Sequence, residues 1–251
     1  MRDKELKKLL QDNVTPPDYL KKDSFIRGHR AKETPHVSTT RLILQQTGFI
    51  RKRVWVVSLL VMIFMVLFIV QEMRYPLNSG YTDDDRVLTV LKTASFFMPF
   101  ISALGMIEAF KAQLHGVYEL EQVTVISGKR ALFARLAVVG IINFLPMMFI
   151  SVLMRLTVGV EIVRGALVVL VPYLLTMVLC MEIERFEWAR RSAFSFLIPV
   201  LLVTVLTHSE VGGMYFAELG VRALLIIFVA LVAVQAFELK RFSNMEDFAW
   251  N

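Results

Sequence analysis

Polar residues withdraw from this chain six times. Apolar runs occupy residues 54–70, about 88–107, about 136–154, 165–181, 192–207 and about 219–237. Crossing a hydrocarbon core in a helix takes about 20 predominantly apolar residues. The pattern therefore predicts an all-α, polytopic membrane protein with six transmembrane helices. Trp55 stands near one end of the first run, where the aromatic belt of a membrane interface lies. Lys92 is close enough to the edge of the second run to snorkel, and Pro99 within it is a candidate kink. Asn143 falls at membrane depth in the third run. An unpaired amide is costly there, so Asn143 is expected to face other helices, either lining a substrate route or bonding two helices together.

The intervals between the runs are unequal. Residues 71–87 carry Pro76, Asn78, Gly80 and Asp83–Asp84–Asp85, which predicts an exposed loop. The acidic triplet suggests a divalent-cation site, but three adjacent carboxylates cannot all face one ion on a regular element; calcium loops spread their ligands over alternate positions. It reads as a solvated loop or a helix start. Residues 155–164 and 182–191 are short connections. Residues 208–220 are too apolar for a plain loop and too short for a span, which suggests a small helix at, or dipping into, the surface.

The interval at 108–135 is the outlier, a polar and amphipathic stretch between two strongly apolar ones. Val117, Leu120, Val123 and Thr124 can share one helical face, with Glu119, Glu121 and Gln122 projecting elsewhere. A short helix of this kind packs its apolar side into a partner's cleft and pairs its carboxylates with a basic rim. Ser127 is placed to cap the next helix, with Gly128 permitting a sharp turn. Arg130 and Arg135 then reach headgroup level. On this reading 108–116 leaves the membrane, 117–124 is a contact helix and 127–135 turns back.

Composition agrees with the pattern. The chain has 251 residues, of which 56% are hydrophobic, and a mean hydropathy of +0.58, more apolar than a soluble domain of this size tolerates. The single cysteine, Cys180, lies in an apolar run and excludes an internal disulfide framework or a cysteine-based zinc site. The net charge of +6 is distributed as a membrane requires, and no nucleic-acid partner is expected. Residues 1–53 carry 13 Lys or Arg against 6 Asp or Glu, with no signal peptide expected ahead of the first run. If both termini are cytoplasmic, the inner segments hold 22 of the 28 basic residues, and that asymmetry sets the orientation.

Three regions follow: a basic leader at 1–53, a six-span domain at 54–237 and a cytoplasmic tail at 238–251. Within the leader, Pro16–Pro17 stop any helix begun at 1–11. Ser38 then offers an N-cap to a segment in which Leu42, Ile43, Gln46, Phe49 and Ile50 recur at near-helical spacing up to Arg51–Lys52–Arg53. That segment is either an interfacial helix or an N-terminal extension of the first span.

Some chemistry is missing. A phosphate-cradling loop needs G-x-x-x-x-G-K-[ST]; around Ser127–Gly128–Lys129–Arg130, Val123 replaces the first glycine and Arg130 the hydroxyl residue. The chain is thus not expected to be its own ATPase or another enzyme, and no cofactor is expected on it. His29, His36, His115 and His208 form no H-E-x-x-H arrangement. Glu182, Glu184 and Arg185 suggest the glutamate–arginine motif of CAAX-type membrane proteases, without that family's adjacent glutamates and later histidines. The run interiors hold almost no ionisable residues, so coupling to an ion gradient is not supported.

The arrangement resembles the membrane subunit of an ABC transporter of the ABC-2 (type V, exporter-like) class. The resemblance is carried by the basic segment before the first span and the short apolar segment before the last. Between them stands the local text Glu108, Tyr118–Glu119–Leu120–Glu121–Gln122, Ile126–Ser127–Gly128–Lys129–Arg130 and Arg135. Val125–Ile126–Ser127 stands where many relatives carry a proline before the turn. The resemblance implies a cytosolic coupling helix between spans two and three that contacts an ATPase through Val117, Tyr118, Glu119, Leu120, Glu121 and Gln122. Ser127, Gly128, Lys129 and Arg130 would form the turn back into the membrane. It further implies a separate ATPase carrying ATP and magnesium, a second identical or similar membrane subunit, residence in the cell membrane, and export of an amphipathic or hydrophobic peptide, lipid or drug. The alternative is a membrane-anchored regulator, anti-sigma-like, acting through residues 1–53.

Overall fold

The computed structural model describes residues 47–48, 50–74, 82–110, 128–186, 192–210 and 216–245, which all fall in one compact unit, Thr39–Asn251. Among them the regular elements are helical, with no strand. The long helices are α1 (Lys52–Arg74), α2 (Asp83–Ala109), α3 (Gly128–Val158), α4 (Ile162–Ile183) and α6 (Val221–Met245). Between α4 and α6, a 3-10 turn at Ala193–Phe196 leads into α5 (Leu197–His208), and a second one occupies Phe216–Glu218.

Among the described residues, five helices are long and apolar enough to cross a membrane. The stretch expected as the fifth of six spans, and a brief one, holds a short helix. At 1.5 Å per residue a 12-residue helix covers about 18 Å, against a hydrocarbon core of about 30 Å. Ser192 starts its 3-10 turn by accepting from the Phe194 amide at 3.3 Å.

The helices also run beyond the apolar stretches that announce them. α1 continues to Arg74 and α2 begins at Asp83, so the connection expected at 71–87 is much shorter. α3 starts at Gly128 rather than near 136, and α6 passes Phe237 to reach Met245. Hydropathy marks where a helix meets apolar surroundings, whereas its hydrogen-bond ladder continues until a cap or breaker stops it. Asp83, Asp84 and Asp85 are such a start: they form the first turn of α2, capped by Thr82. At the other end of the leader, Ile50 lies in a bend and Arg51 is non-helical, so α1 begins only at Lys52.

α2 and α4 form the centre. Their apolar stretches are 50% and 56% buried within the chain, against 11% for α1. α4 packs on α2, α3 and α6, while α1 lies against α2. Lipid solvates apolar side chains as well as a neighbouring helix does, so close packing rather than hydrophobic expulsion joins such helices, and small residues permit it. A Cβ added at Gly105 on α2 would collide with the Val139 side chain of α3. Ser102 donates across the bundle to the Tyr173 carbonyl oxygen of α4 at 2.9 Å. α3 and α4 reverse through Gly159, whose φ of 73° lies in the left-handed region that glycine occupies without penalty; its amide closes α3 on the Arg155 carbonyl at 3.2 Å.

The chain direction sorts the helix ends into two groups. One end, here called basal, collects the start of α1, the end of α2, the starts of α3 and α5, and the ends of α4 and α6. The opposite end collects the end of α1, the start of α2, the α3–α4 turn, the Phe216–Glu218 turn and the start of α6, while α5 stops part-way, with His208 against Phe96 in the middle of α2.

Candidate functional site

The expected contact residues Val117, Tyr118, Glu119, Leu120, Glu121 and Gln122, together with Ser127, lie outside the described residues. So do the proposed interfacial helix up to residue 46 and the leader before it. Gly128, Lys129 and Arg130 belong to the first turn of α3, so any chain reversal there precedes them. Glu108, expected to open the departure from the membrane, is still inside α2 and 2% exposed.

The basal end concentrates buried charge. Glu108 Oε1 accepts a hydrogen bond from the Arg51 backbone amide at 3.1 Å, and Arg51 Nε stands 4.0 Å from Oε2. One carboxylate thus joins the end of α2 to the residue just ahead of α1. Ile50 adds an apolar tie, packing with Val138 and Val139 of α3. Arg135 of α3 is buried as well. Phe110, capping α2, stacks on Phe196 at the start of α5 with ring centroids 6.5 Å apart.

A second group ties α4 to α6. Arg185 Nη1 meets Glu182 Oε2 at 2.6 Å and Glu238 Oε2 at 3.8 Å, and Arg241 Nη1 approaches Glu238 Oε1 at 3.8 Å. Glu238 is 3% exposed and Glu184 is buried beside this group's helix end. The glutamate–arginine text at 182–185 is accordingly an ion pair at a helix end that reaches across to α6. One turn earlier, Gln235 donates from Nε2 to Met181 Sδ at 3.0 Å, and its Oε1 has no hydrogen-bond partner.

Asn143 sits at mid-depth and is 8% exposed. Its Nδ2 donates to the Tyr173 hydroxyl oxygen at 3.2 Å, a bond between α3 and α4. The geometry is that of an interhelical tie, although the residue also borders a small cleft with Trp55 and Ser58 of α1. A much larger cleft of ≈ 490 Å³ runs between α3, α4 and α6. Its wall includes Phe133, Phe144, Met147, Phe228 and Leu239, with Tyr173 and Gln235 as its polar-bearing members.

The opposite end is built differently. Thr82 Oγ1 accepts from the Asp85 amide at 3.3 Å while Asp85 Oδ2 accepts from the Thr82 amide at 3.0 Å. Asp83, Asp84 and Asp85 are exposed. A polar cleft of ≈ 320 Å³ opens between Asp84, Asp85, Arg164 and Glu218, with Arg164 Nη2 donating to the Ala217 carbonyl oxygen at 3.0 Å. Among the described residues no three His, Cys, Asp or Glu side chains converge as a metal site would require.

Sequence reading missed the burial of Glu108, Arg135, Glu184, Gln235 and Glu238. The available signal was spacing. Gln235 and Glu238 fall three apart, and with Phe228, Val232 and Leu239 they continue a helical face past the end of the apolar run at Phe237. Comparison with known proteins returned no relative from which to name these features: no family model, no curated protein and no solved structure matches this chain.

Proposed function

We propose that the chain is the membrane-spanning subunit of an ATP-driven ABC-2 type transporter, working with a separate ATPase and a second, identical or similar membrane subunit in the cell membrane. The observation that carries the reading is the anchoring of the 108–135 interlude at both its ends. Glu108 is buried and bound to the Arg51 amide, and Arg135 is buried in α3. A displacement of the interlude by a partner would therefore pass directly into α1, α2 and α3 instead of being absorbed by a slack loop. Residues 123–130 do not make a phosphate loop, and on this reading the force comes from the partner ATPase.

On this reading the basal end faces the cytosol, in agreement with the excess of basic residues there. Both termini are cytoplasmic, and Phe194–His208 supplies a sixth, short crossing flanked by the Phe216–Glu218 turn. Closure of the ATPase on ATP shifts the contact helix at 117–124, and the spans rock to open a route outward for an amphipathic or hydrophobic cargo.

Charge reversal of Glu119 and Glu121 tests the proposal. With the chain co-expressed beside the ATPase that purifies with it, the double variant is expected to insert normally and to lose cargo-stimulated ATP hydrolysis. Stimulation that matches the unaltered chain would overturn the coupling role.

A further inference from the structure

α5 covers only the basal half of α2, and α2 changes character where the cover ends. The two helices meet at the basal end, with Phe196 stacked on Phe110. Phe100, Ala103 and Ile107 of α2 then cluster with Phe196 and Val200 of α5. The contact ends where the His208 ring meets Phe96 edge-on, with centroids 5.2 Å apart. Phe96 is the fourteenth of the 27 residues of α2, about 20 Å from the helix start at 1.5 Å per residue. That is the middle of a helix long and apolar enough to cross a membrane.

From Phe96 toward Asp83 the same face of α2 is polar. Lys92, Thr89 and Asp85 fall four, seven and eleven residues before Phe96, spacings that keep them on one side of a helix. Asp85 is exposed, and Thr89 and Lys92 are half-buried. The end of α5 is polar as well: Thr207, His208, Ser209 and Glu210 succeed one another, the last two outside the helix. Lys92 stands close enough to His208 for its charge to act on the ring, so the stripe and the helix end meet. Ionisable side chains at membrane depth face the bundle interior or water. Non-helical backbone there is tolerated only inside protein or along a water-filled cavity. Glu210 is exposed, which leaves water.

We propose that the end of α5 and the polar stripe of α2 bound a water-filled notch, open at the end of the bundle where α2 begins and reaching to mid-depth. Its lining carries both signs, Asp85 and Glu210 against Lys92, so it admits hydrated polar groups of either charge. Water fills the notch whether or not the chain is a transporter. On the transporter reading, the notch is the outer half of a route for the polar part of an amphiphile.

Thiol reactivity of the full chain in lipid nanodiscs, where both membrane faces are open to reagent, tests it. Only the ionised thiol reacts, and apolar surroundings suppress ionisation. The native Cys180 is buried and is replaced by Cys180→Ala. In that background Ser209→Cys and Thr89→Cys should react with impermeant methanethiosulfonates at least about tenfold faster than Leu145→Cys and Val205→Cys. The last two are lipid-facing controls, at positions whose native side chains are 67% and 65% exposed. Cationic and anionic reagents should serve equally. Lys92→Leu, which makes the stripe more apolar, should slow Ser209→Cys without slowing Asp84→Cys at the exposed start of α2. Ser209→Cys reacting no faster than the controls, with thermal unfolding unchanged and Asp84→Cys reacting readily, would overturn the notch. Reaction with reagents of only one charge would overturn the mixed lining, and a rate unchanged by Lys92→Leu would overturn the part given to α2.

Discussion

The two ends of the bundle handle charge in opposite ways. At the end where α2 begins, three consecutive aspartates stay exposed and the capping contacts are local, between residues three apart. At the basal end, Glu108, Glu184 and Glu238 are each no more than 3% exposed. The contacts resolved for two of them connect separate helices: Glu108 reaches Arg51 across 57 positions, and Glu238 reaches Arg185 across the α4–α6 boundary. A carboxylate facing solvent beside a helix N-terminus stabilises modestly and needs no partner from elsewhere in the fold. One withdrawn from solvent must be paired, and breaking the pair is expensive. At the first end the aspartates act as caps within one helix, and Arg164 crosses to the Ala217 carbonyl oxygen, whereas buried carboxylates make the second a joint through which movement of one helix is felt by others.

The largest test of that contrast removes a shared cation. Arg185→Met deprives the buried Glu238 of one of its two arginines and leaves Arg241 alone at 3.8 Å. Breaking a buried pair in this way costs on the order of 3 kcal/mol, read as a lowered midpoint in thermal unfolding of the detergent-solubilised chain. Adding Glu238→Gln removes the stranded charge and should restore part of the loss. A double variant no more stable than Arg185→Met would show that the basal carboxylate is not held by charge pairing, and the contrast between the ends would fail.

A smaller effect belongs to the opposite end. Thr82→Ala deletes the side chain of an N-cap, and backbone amides in the first turn of α2 should exchange with solvent about fivefold faster. Amides near Glu108, at the far end of the same helix, should be unaffected. Acceleration that spread along α2 would mean that this end is also coupled to the rest of the bundle.

How much of this was legible in the sequence depends on which interaction fixes each feature. Apolar runs mark α1, α2, α3, α4 and α6 because membrane surroundings demand uninterrupted apolar residues. The acidic triplet at 83–85 was readable as a solvated loop or a helix start, and local capping by Thr82 selects the helix start. Asn143 could be placed among other helices, but not assigned to Tyr173, since the cost of an unpaired amide identifies no partner. The basal joint was the least legible part. Glu238 follows the last apolar run and reads as the first residue of a solvated tail, until α6 proves to continue through Met245 and turn that position toward α4. The run at 192–207 was readable as brief, and its α-helical part is shorter still because Ala193–Phe196 winds as a 3-10 turn, a change of helix type that hydropathy does not report.

The smallest effect lies between the two ends, at the hydrogen bond from Asn143 to Tyr173. Such bonds inside membrane bundles are worth about 0.6 kcal/mol in double-mutant cycles, because the unfolded chain in the membrane also finds partners. Asn143→Leu and Tyr173→Phe should each destabilise slightly, and the double variant should differ from their sum by about that amount. Tyr173 also receives Ser102 at its backbone carbonyl, a contact that neither substitution removes, so α2, α3 and α4 should remain assembled. A coupling energy several times larger would make this mid-depth tie a principal link holding α3 to α4. Coupling near zero would leave the basal contacts and the close approach of Gly105 to Val139 as the principal constraints on α3.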